Sequence, residues 1–196
     1  MIEDLYITNY CDKRCSPLNS ITRFPVKDAY SLAKSFSQYA GTSFTSFSRF
    51  TDKDFDGYYK KRIRTEEWLY NSFMALGGKP KSTRPLYFVL GESSYLNEWF
   101  ENGIKIKLLL GDIDSEDVSF TFGDSMSKMD SGERMDPFNK ELLLKFIREK
   151  TDDIISFLSD LNKHNRYIEA QLWNDIYVKE LIKTQYKGSP SVAGSE

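Results

Sequence analysis

The sequence predicts an α+β domain: a mixed or mostly antiparallel sheet with helices packed against it. Strand-sized apolar runs and helix-length amphipathic segments are interspersed along the chain without a regular β-α-β alternation, which argues against a doubly wound parallel sheet. Hydrophobic residues make up 40% and charged residues 29% of the 196 residues. A chain of that size and composition can bury one substantial core without disulfides or metals. A single globular domain is expected over residues 1–186, followed by a Gly-, Ser- and Pro-rich tail at 187–196 expected to be disordered.

The first strand is expected at Leu5-Tyr6-Ile7-Thr8, where aromatic and β-branched residues cluster before a polar, Pro-bearing stretch. From Val26 to Ala40, apolar residues recur at Ala29, Leu32, Ala33, Phe36 and Tyr39, the spacing of a helix with one buried face, and Gly41 stops it. Thr42 to Phe50 mixes Ser, Thr and Phe, consistent with an irregular strand or a loop that buries its rings. A long helix is predicted over Tyr58 to Leu76, with Ile63, Trp68, Leu69, Phe73 and Leu76 at helical spacings and Gly77-Gly78 as a left-handed stop. The continuous apolar run Leu86 to Leu90, bounded by Pro85 and Gly91, reads as a central strand covered on both faces. Ser93 can cap a short helix carrying Leu96, Trp99 and Phe100, and Ile104 to Leu108 alternates as a strand with one wet face. Val118 to Phe122 is a further strand, and Gly123 to Pro137, rich in turn formers, is a long loop of the kind that is often functional. Two helical segments around Leu143 and Leu158 follow, then a strand at Tyr167 to Trp173 and an amphipathic piece from Ile176 to Ile182.

Charge and residue inventory exclude several functions. The net charge is -2, whereas a protein that grips nucleic-acid backbones needs a basic excess, so no strong general nucleic-acid binding is expected. The densest basic cluster, Lys60, Lys61, Arg62 and Arg64, is followed at once by Glu66 and Glu67 and reads as a solvated helix face. No apolar run reaches membrane-spanning length and the N-terminus lacks a secretory pattern, so no membrane association and a cytoplasmic location are expected. The one histidine, His164, sits in a polar turn, which excludes two-histidine metal sites and disfavours a histidine-based nucleophile system. Asp52-Lys53-Asp54-Phe55-Asp56-Gly57 matches the first half of a calcium loop, but position 12 is Ile63 instead of a bidentate Glu, so an acidic turn capping the next helix is expected and no metal. Cys11 and Cys15 are too few for a zinc site and read as ordinary thiols, with a redox pair as the alternative. No phosphate-cradling glycine loop is present.

The chemistry-bearing segment is Tyr167-Ile168-Glu169-Ala170-Gln171-Leu172-Trp173. Strand alternation places Ile168, Ala170 and Leu172 on a core face and Tyr167, Glu169, Gln171 and Trp173 on the other. A carboxylate and an amide between two aromatics suit the floor of a pocket.

The run YIEAQLWNDIYVKELI resembles the last catalytic strand of ADP-ribosyltransferase-like domains. The resemblance implies NAD as cofactor and Glu169 as the carboxylate that stabilises the oxocarbenium-like ribose when nicotinamide leaves. It implies Gln171 as the residue positioning ribose, with Tyr6, Tyr87 or Trp173 available to stack on nicotinamide. The family places an Arg or His on its first strand, where this sequence has Tyr6 and Thr8, with Arg14 further on; Thr45-Ser46 or Ser119-Phe120-Thr121 are loose counterparts of the family's Ser-Thr-Ser motif. The implied activity is transfer of ADP-ribose to a protein or nucleic-acid target, as a toxin or effector. The alternative is a non-enzymatic binding or inhibitory protein, such as a phage or host-defence effector. Its 14 Phe, 12 Tyr and 3 Trp residues, with Met126, Met129 and Met135, would then form a contact surface.

Overall fold

A computed structural model of the chain describes residues 4–40, 47–150, 153–163 and 167–181. His164, Thr45, Ser46 and the 187–196 tail lie outside the described residues. A six-stranded, wholly antiparallel sheet forms the centre, built from β1 (Tyr6–Cys11), β2 (Leu86–Leu90), β3 (Ile104–Leu109), β4 (Val118–Phe122), β5 (Phe138–Asn139) and β6 (Ile168–Leu172) in the order β3-β1-β2-β6-β4-β5. The described residues form five α-helices around it: α1 (Val26–Ser37), α2 (Phe55–Ala75), α3 (Ser94–Trp99), α4 (Lys140–Lys150) and α5 (Ile154–Lys163). The fold is α+β, and no helix among the described residues is long and apolar enough to cross a membrane.

Strand alternation explains the two faces. Ile7 of β1, Leu86, Phe88 and Leu90 of β2, Val118 and Phe120 of β4, and Ile168, Ala170 and Leu172 of β6 make one core with Leu143 and Ile147 of α4 and flanking residues of α5. β2 is third in the sheet, paired on both sides, as its unbroken apolar run predicts. β5 has only two residues and no sequence signal that would separate it from the preceding loop.

The opposite face is covered differently along its length. Leu69 and Phe73 of α2 pack on Trp173, with Phe73 and Trp173 stacked at 5.8 Å between ring centroids. A second aromatic cluster ties Ala29 and Ala33 of α1 to Phe47, Phe50, Phe55 and Tyr59. α2 ends as its glycines predict: Gly77 takes a φ of +88°, its N–H reaches Met74 O at 3.0 Å and the Gly78 N–H reaches Phe73 O at 3.0 Å. This is a Schellman stop, which needs a left-handed residue. The acidic turn before α2 places Asp54 at the N-cap and Asp56 in the first turn, where Asp56 pairs with Lys60 at 2.7 Å and accepts from the Tyr30 hydroxyl at 2.7 Å.

The register β2–β6–β4 then aligns a polar row on this face. Val89, Glu169 and Thr121 are lateral neighbours, as are Tyr87, Gln171 and Ser119 one step along. Where α2 and the aromatic cluster stand off from the sheet, the Glu169 end of that row is left facing a cavity.

Candidate functional site

The cavity has a volume of about 800 Å³ and lies against the polar face of the sheet. That is within the range of small-molecule and cofactor sites. Thr8 and Tyr10 of β1, Tyr87 and Val89 of β2, and Glu169 of β6 form its sheet side, with Tyr167 just before β6. Lys61 and Arg62 of α2, the rings of Phe36, Phe47 and Phe50, and Tyr95 and Trp99 of α3 form its other walls. Arg14, Arg49, Lys61 and Arg62 supply four cationic groups against three carboxylates, Asp12, Asp124 and Glu169.

Glu169 is 7% exposed. Ser125 Oγ donates to its Oε1 at 2.6 Å and Gln171 Nε2 donates to the same oxygen at 2.9 Å. Neither bond falls on Oε2. Burial pushes the carboxyl up to about 7, helped by the nearby negative charge of Asp124, while Arg62 and the two hydrogen bonds pull it down. Such a group changes charge near neutral pH, which is uncommon for a carboxylate and frequent at functional sites.

Gln171 is fully buried and lies beside the cavity instead of in it. Its Oε1 accepts from Ser119 Oγ at 2.8 Å and its Nε2 donates to Thr121 Oγ1 at 3.1 Å as well as to Glu169. Trp173 is also fully buried: its indole N–H donates to Ser119 Oγ at 2.9 Å and its ring stacks on Phe73. The covering helix α2 reaches this end of β6, so Trp173 is a core residue and does not present a face to a cofactor. Tyr6 shares the sheet face but lies outside the cavity, under Lys107 Nζ at 4.5 Å from its ring centroid. Tyr87 does line the cavity, beneath the Arg62 guanidinium at 3.6 Å. Of the sequence-derived site residues, the structure therefore brings Glu169 and Tyr87 to one cavity and Gln171 into contact with Glu169. Tyr6 and Trp173 are elsewhere.

The basic cluster of α2 is not one solvated face. Arg62 is largely buried, and Glu66 is fully so. Arg62 Nε donates to Glu66 Oε1 at 3.1 Å, and Thr22 Oγ1 and Tyr87 Oη donate to the same oxygen at 2.9 and 3.2 Å. Arg84 Nε stands 3.6 Å from Glu66 Oε2. The signal was present in the spacing: Phe55, Tyr59, Arg62, Glu66, Leu69 and Phe73 follow one another by four and three residues, the stripe of a helix's buried face. Two opposite charges inside such a stripe, four residues apart, mark a buried pair.

Arg49 and Ser125 are further site residues that sequence reading missed, and Arg14, noted there only as lying beyond the first strand, lines the same cavity. Arg14 is bound to Asp12 at 2.6 Å and Glu101 at 3.0 Å, with its guanidinium 4.5 Å from the Phe47 ring centroid. Arg49 lies over Phe50 and Tyr58, both at 5.2 Å, and its buried Nε has no hydrogen-bond partner among the described residues. Ser125 belongs to the Gly123–Pro137 loop, which is fastened across α2 by Asp130 to Lys61 and Arg64 at 3.4 and 3.2 Å and by Arg134 over Trp68 at 4.6 Å. The loop's methionines divide accordingly: Met126 lines the cavity and Met135 is exposed. Among the described residues, no group of three or more His, Cys, Asp or Glu side chains could hold a metal ion. Comparison with protein-family models, with curated proteins and with solved structures yields no match to this chain.

Proposed function

We propose that this chain is an ADP-ribosyltransferase of toxin or effector type, which cleaves NAD between nicotinamide and ribose and passes ADP-ribose to a protein or nucleic acid. The observation that carries the reading is one carboxylate, Glu169, fixed through Oε1 by Ser125 and Gln171 on the wall of a cavity of about 800 Å³. When nicotinamide leaves, the ribose ring develops positive charge, and a preplaced carboxylate stabilises it electrostatically without histidine.

The residues present suit NAD. Arg49 has a buried N–H without a hydrogen-bond partner among the described residues, and with Arg14 and Lys61 it offers cationic partners for a pyrophosphate. Tyr87 and Tyr167 flank Glu169 and offer ring faces to nicotinamide. In this reading Gln171 is a positioning residue that aims Glu169, and Tyr6 and Trp173 take no part in binding.

The test is to incubate the wild-type chain with NAD labelled in its adenylate half and a lysate, and to follow free nicotinamide and label transfer together. Release of nicotinamide with label on a macromolecule is the expected result. A chain that neither binds nor consumes NAD sinks the reading. The non-enzymatic contact protein then becomes the alternative to pursue.

A further inference from the structure

Two thiols on the cavity wall have no part in sugar transfer. Cys11 ends β1, and Cys15 follows across a turn closed by the Cys15 N–H donating to Asp12 O at 2.9 Å. Both are free, Cys11 buried and Cys15 half-buried, and both line the cavity. Cys11 Sγ lies 3.3 Å from Asp12 O and 3.6 Å from Cys15 O, within hydrogen-bond reach of the Cys15 segment.

The two sulfurs differ in character. The neighbouring Cys11 thiol draws the Cys15 thiol below its usual range against burial and the negative charge of Asp12, and Arg49 and Arg14 add to the lowering. The proximity of Cys15, together with burial, pushes Cys11 far up. Cys15 is the more exposed of the two sulfurs and has Arg14 and Arg49 near it, features that favour a reactive thiolate. Cys11 is its buried neighbour, with Sγ 3.6 Å from the Cys15 carbonyl oxygen.

From this juxtaposition we infer that Cys15 is a site of oxidative modification by hydrogen peroxide entering the cavity, with Cys11 as the resolving thiol. In the first step the Cys15 thiolate attacks a peroxide oxygen: an S–O bond forms, the O–O bond breaks, and the departing hydroxide takes a proton and leaves as water. Cys15 is now a sulfenic acid. In the second step the Cys11 sulfur attacks the Cys15 sulfur, the S–O bond breaks, and the Cys11 proton leaves with the hydroxide as a second water. Two thiols are oxidised to one intramolecular disulfide and one peroxide is reduced to two waters. The link would draw Cys15, and with it Arg14, toward the end of β1, so that oxidation reshapes the cationic end of the cavity.

The experiment uses the full chain under native conditions. Brief labelling with iodoacetamide should modify Cys15 at least about tenfold faster than Cys11. Peroxide followed by alkylation should then give a monomer lighter by about 2 Da, with both cysteines protected. The Cys11→Ser variant should stop at a sulfenic acid that dimedone traps on Cys15, and Cys15→Ser should yield no such adduct on Cys11. If Cys15 in the wild type labels no faster than Cys11, or peroxide produces only disulfides between chains, the inference is wrong. The wild-type labelling step decides even if a variant fails to fold, and none of these readouts depends on NAD turnover.

Discussion

Gln171 Nε2 donates to Glu169 Oε1 across 2.9 Å, two residues along the same strand. That bond is the last link of a chain that begins in the core. The Trp173 indole N–H occupies Ser119 Oγ, so the Ser119 hydroxyl donates to Gln171 Oε1, which turns the amide N–H₂ toward Thr121 and Glu169. The catalytic candidate is thus aimed by a buried hydrogen-bond network and not by loop contacts alone.

Gln171→Leu removes both ends of that link. Ser119 and Glu169 each lose a partner in a buried site, which should lower stability by about 1 to 3 kcal/mol. If Gln171 positions Glu169, nicotinamide release should also fall well beyond the loss of folded protein, mainly in kcat. Denaturant melts and steady-state kinetics on the same preparations separate the two. A rate that merely tracks the folded fraction would leave Gln171 with a structural role only.

The carboxyl of Glu169, pushed up to about 7, predicts an acid limb in the pH profile. The proposed reaction needs the ionised form, so NAD cleavage should rise as pH increases through about 7 and level off above it. Removing the Asp124 charge with Asp124→Asn should shift that limb to lower pH, because Asp124 raises the Glu169 carboxyl. Rates of nicotinamide release between pH 5 and pH 9 check both. A profile flat across neutrality would exclude Glu169 as the titrating group.

Arg62 pulls in the opposite direction and also pairs with Glu66. Arg62→Met should leave the fully buried Glu66 with a weakened set of partners and cost about 3 to 5 kcal/mol. It should also move the acid limb upward. Arg62→Lys keeps the charge and gives a folded control. Thermal melts report the first effect, and the pH profile of the Met variant set beside that of the Lys variant reports the second.

Much of this fold was legible because its strands announce themselves. Leu86 to Leu90 is apolar without interruption, and β2 is a central strand; Glu169 alternates with Ile168 and Ala170, and it faces away from the main core. The site was legible only in part. Strand alternation says which side chains share a face, but it does not say how far along that face a helix will cover it. α2 covers Trp173 and stops short of Glu169, so identical alternation made one residue core and the other cavity wall. Arg62 and Glu66 were misread because charge suggests solvent, while their spacing placed them in the buried stripe of α2. Ser125 could not have been found at all from pattern. It meets Glu169 across 44 residues of sequence, and that contact exists only because the 123–137 loop is tied down on α2.

Glu169→Gln separates chemistry from packing most directly. The substitution keeps the shape and an oxygen that can accept from Ser125 and Gln171, but it removes the charge. If Glu169 stabilises a cationic sugar, nicotinamide release should fall by about 100-fold or more. Stability should move the other way, and its pH dependence gives the sign. In the folded chain the carboxyl keeps its proton up to about 7, whereas an ordinary glutamate carboxyl loses it near 4.5. Between those pH values the folded state binds more protons than the unfolded state, so this group's contribution is fully present below about 4.5 and is lost as pH rises to about 7. The loss amounts to about 3 kcal/mol for a shift of this size. The Gln variant does not titrate and loses nothing. It should therefore match the wild type in stability near pH 4 and exceed it by up to about 3 kcal/mol at pH 8, while being nearly inactive there. Denaturant melts of both proteins at the two pH values, beside an NAD cleavage assay at pH 8, provide the measurement. Equal stability at both pH values would show that the carboxyl is not held protonated by burial. A variant that is both less stable and proportionately less active would make Glu169 a structural residue.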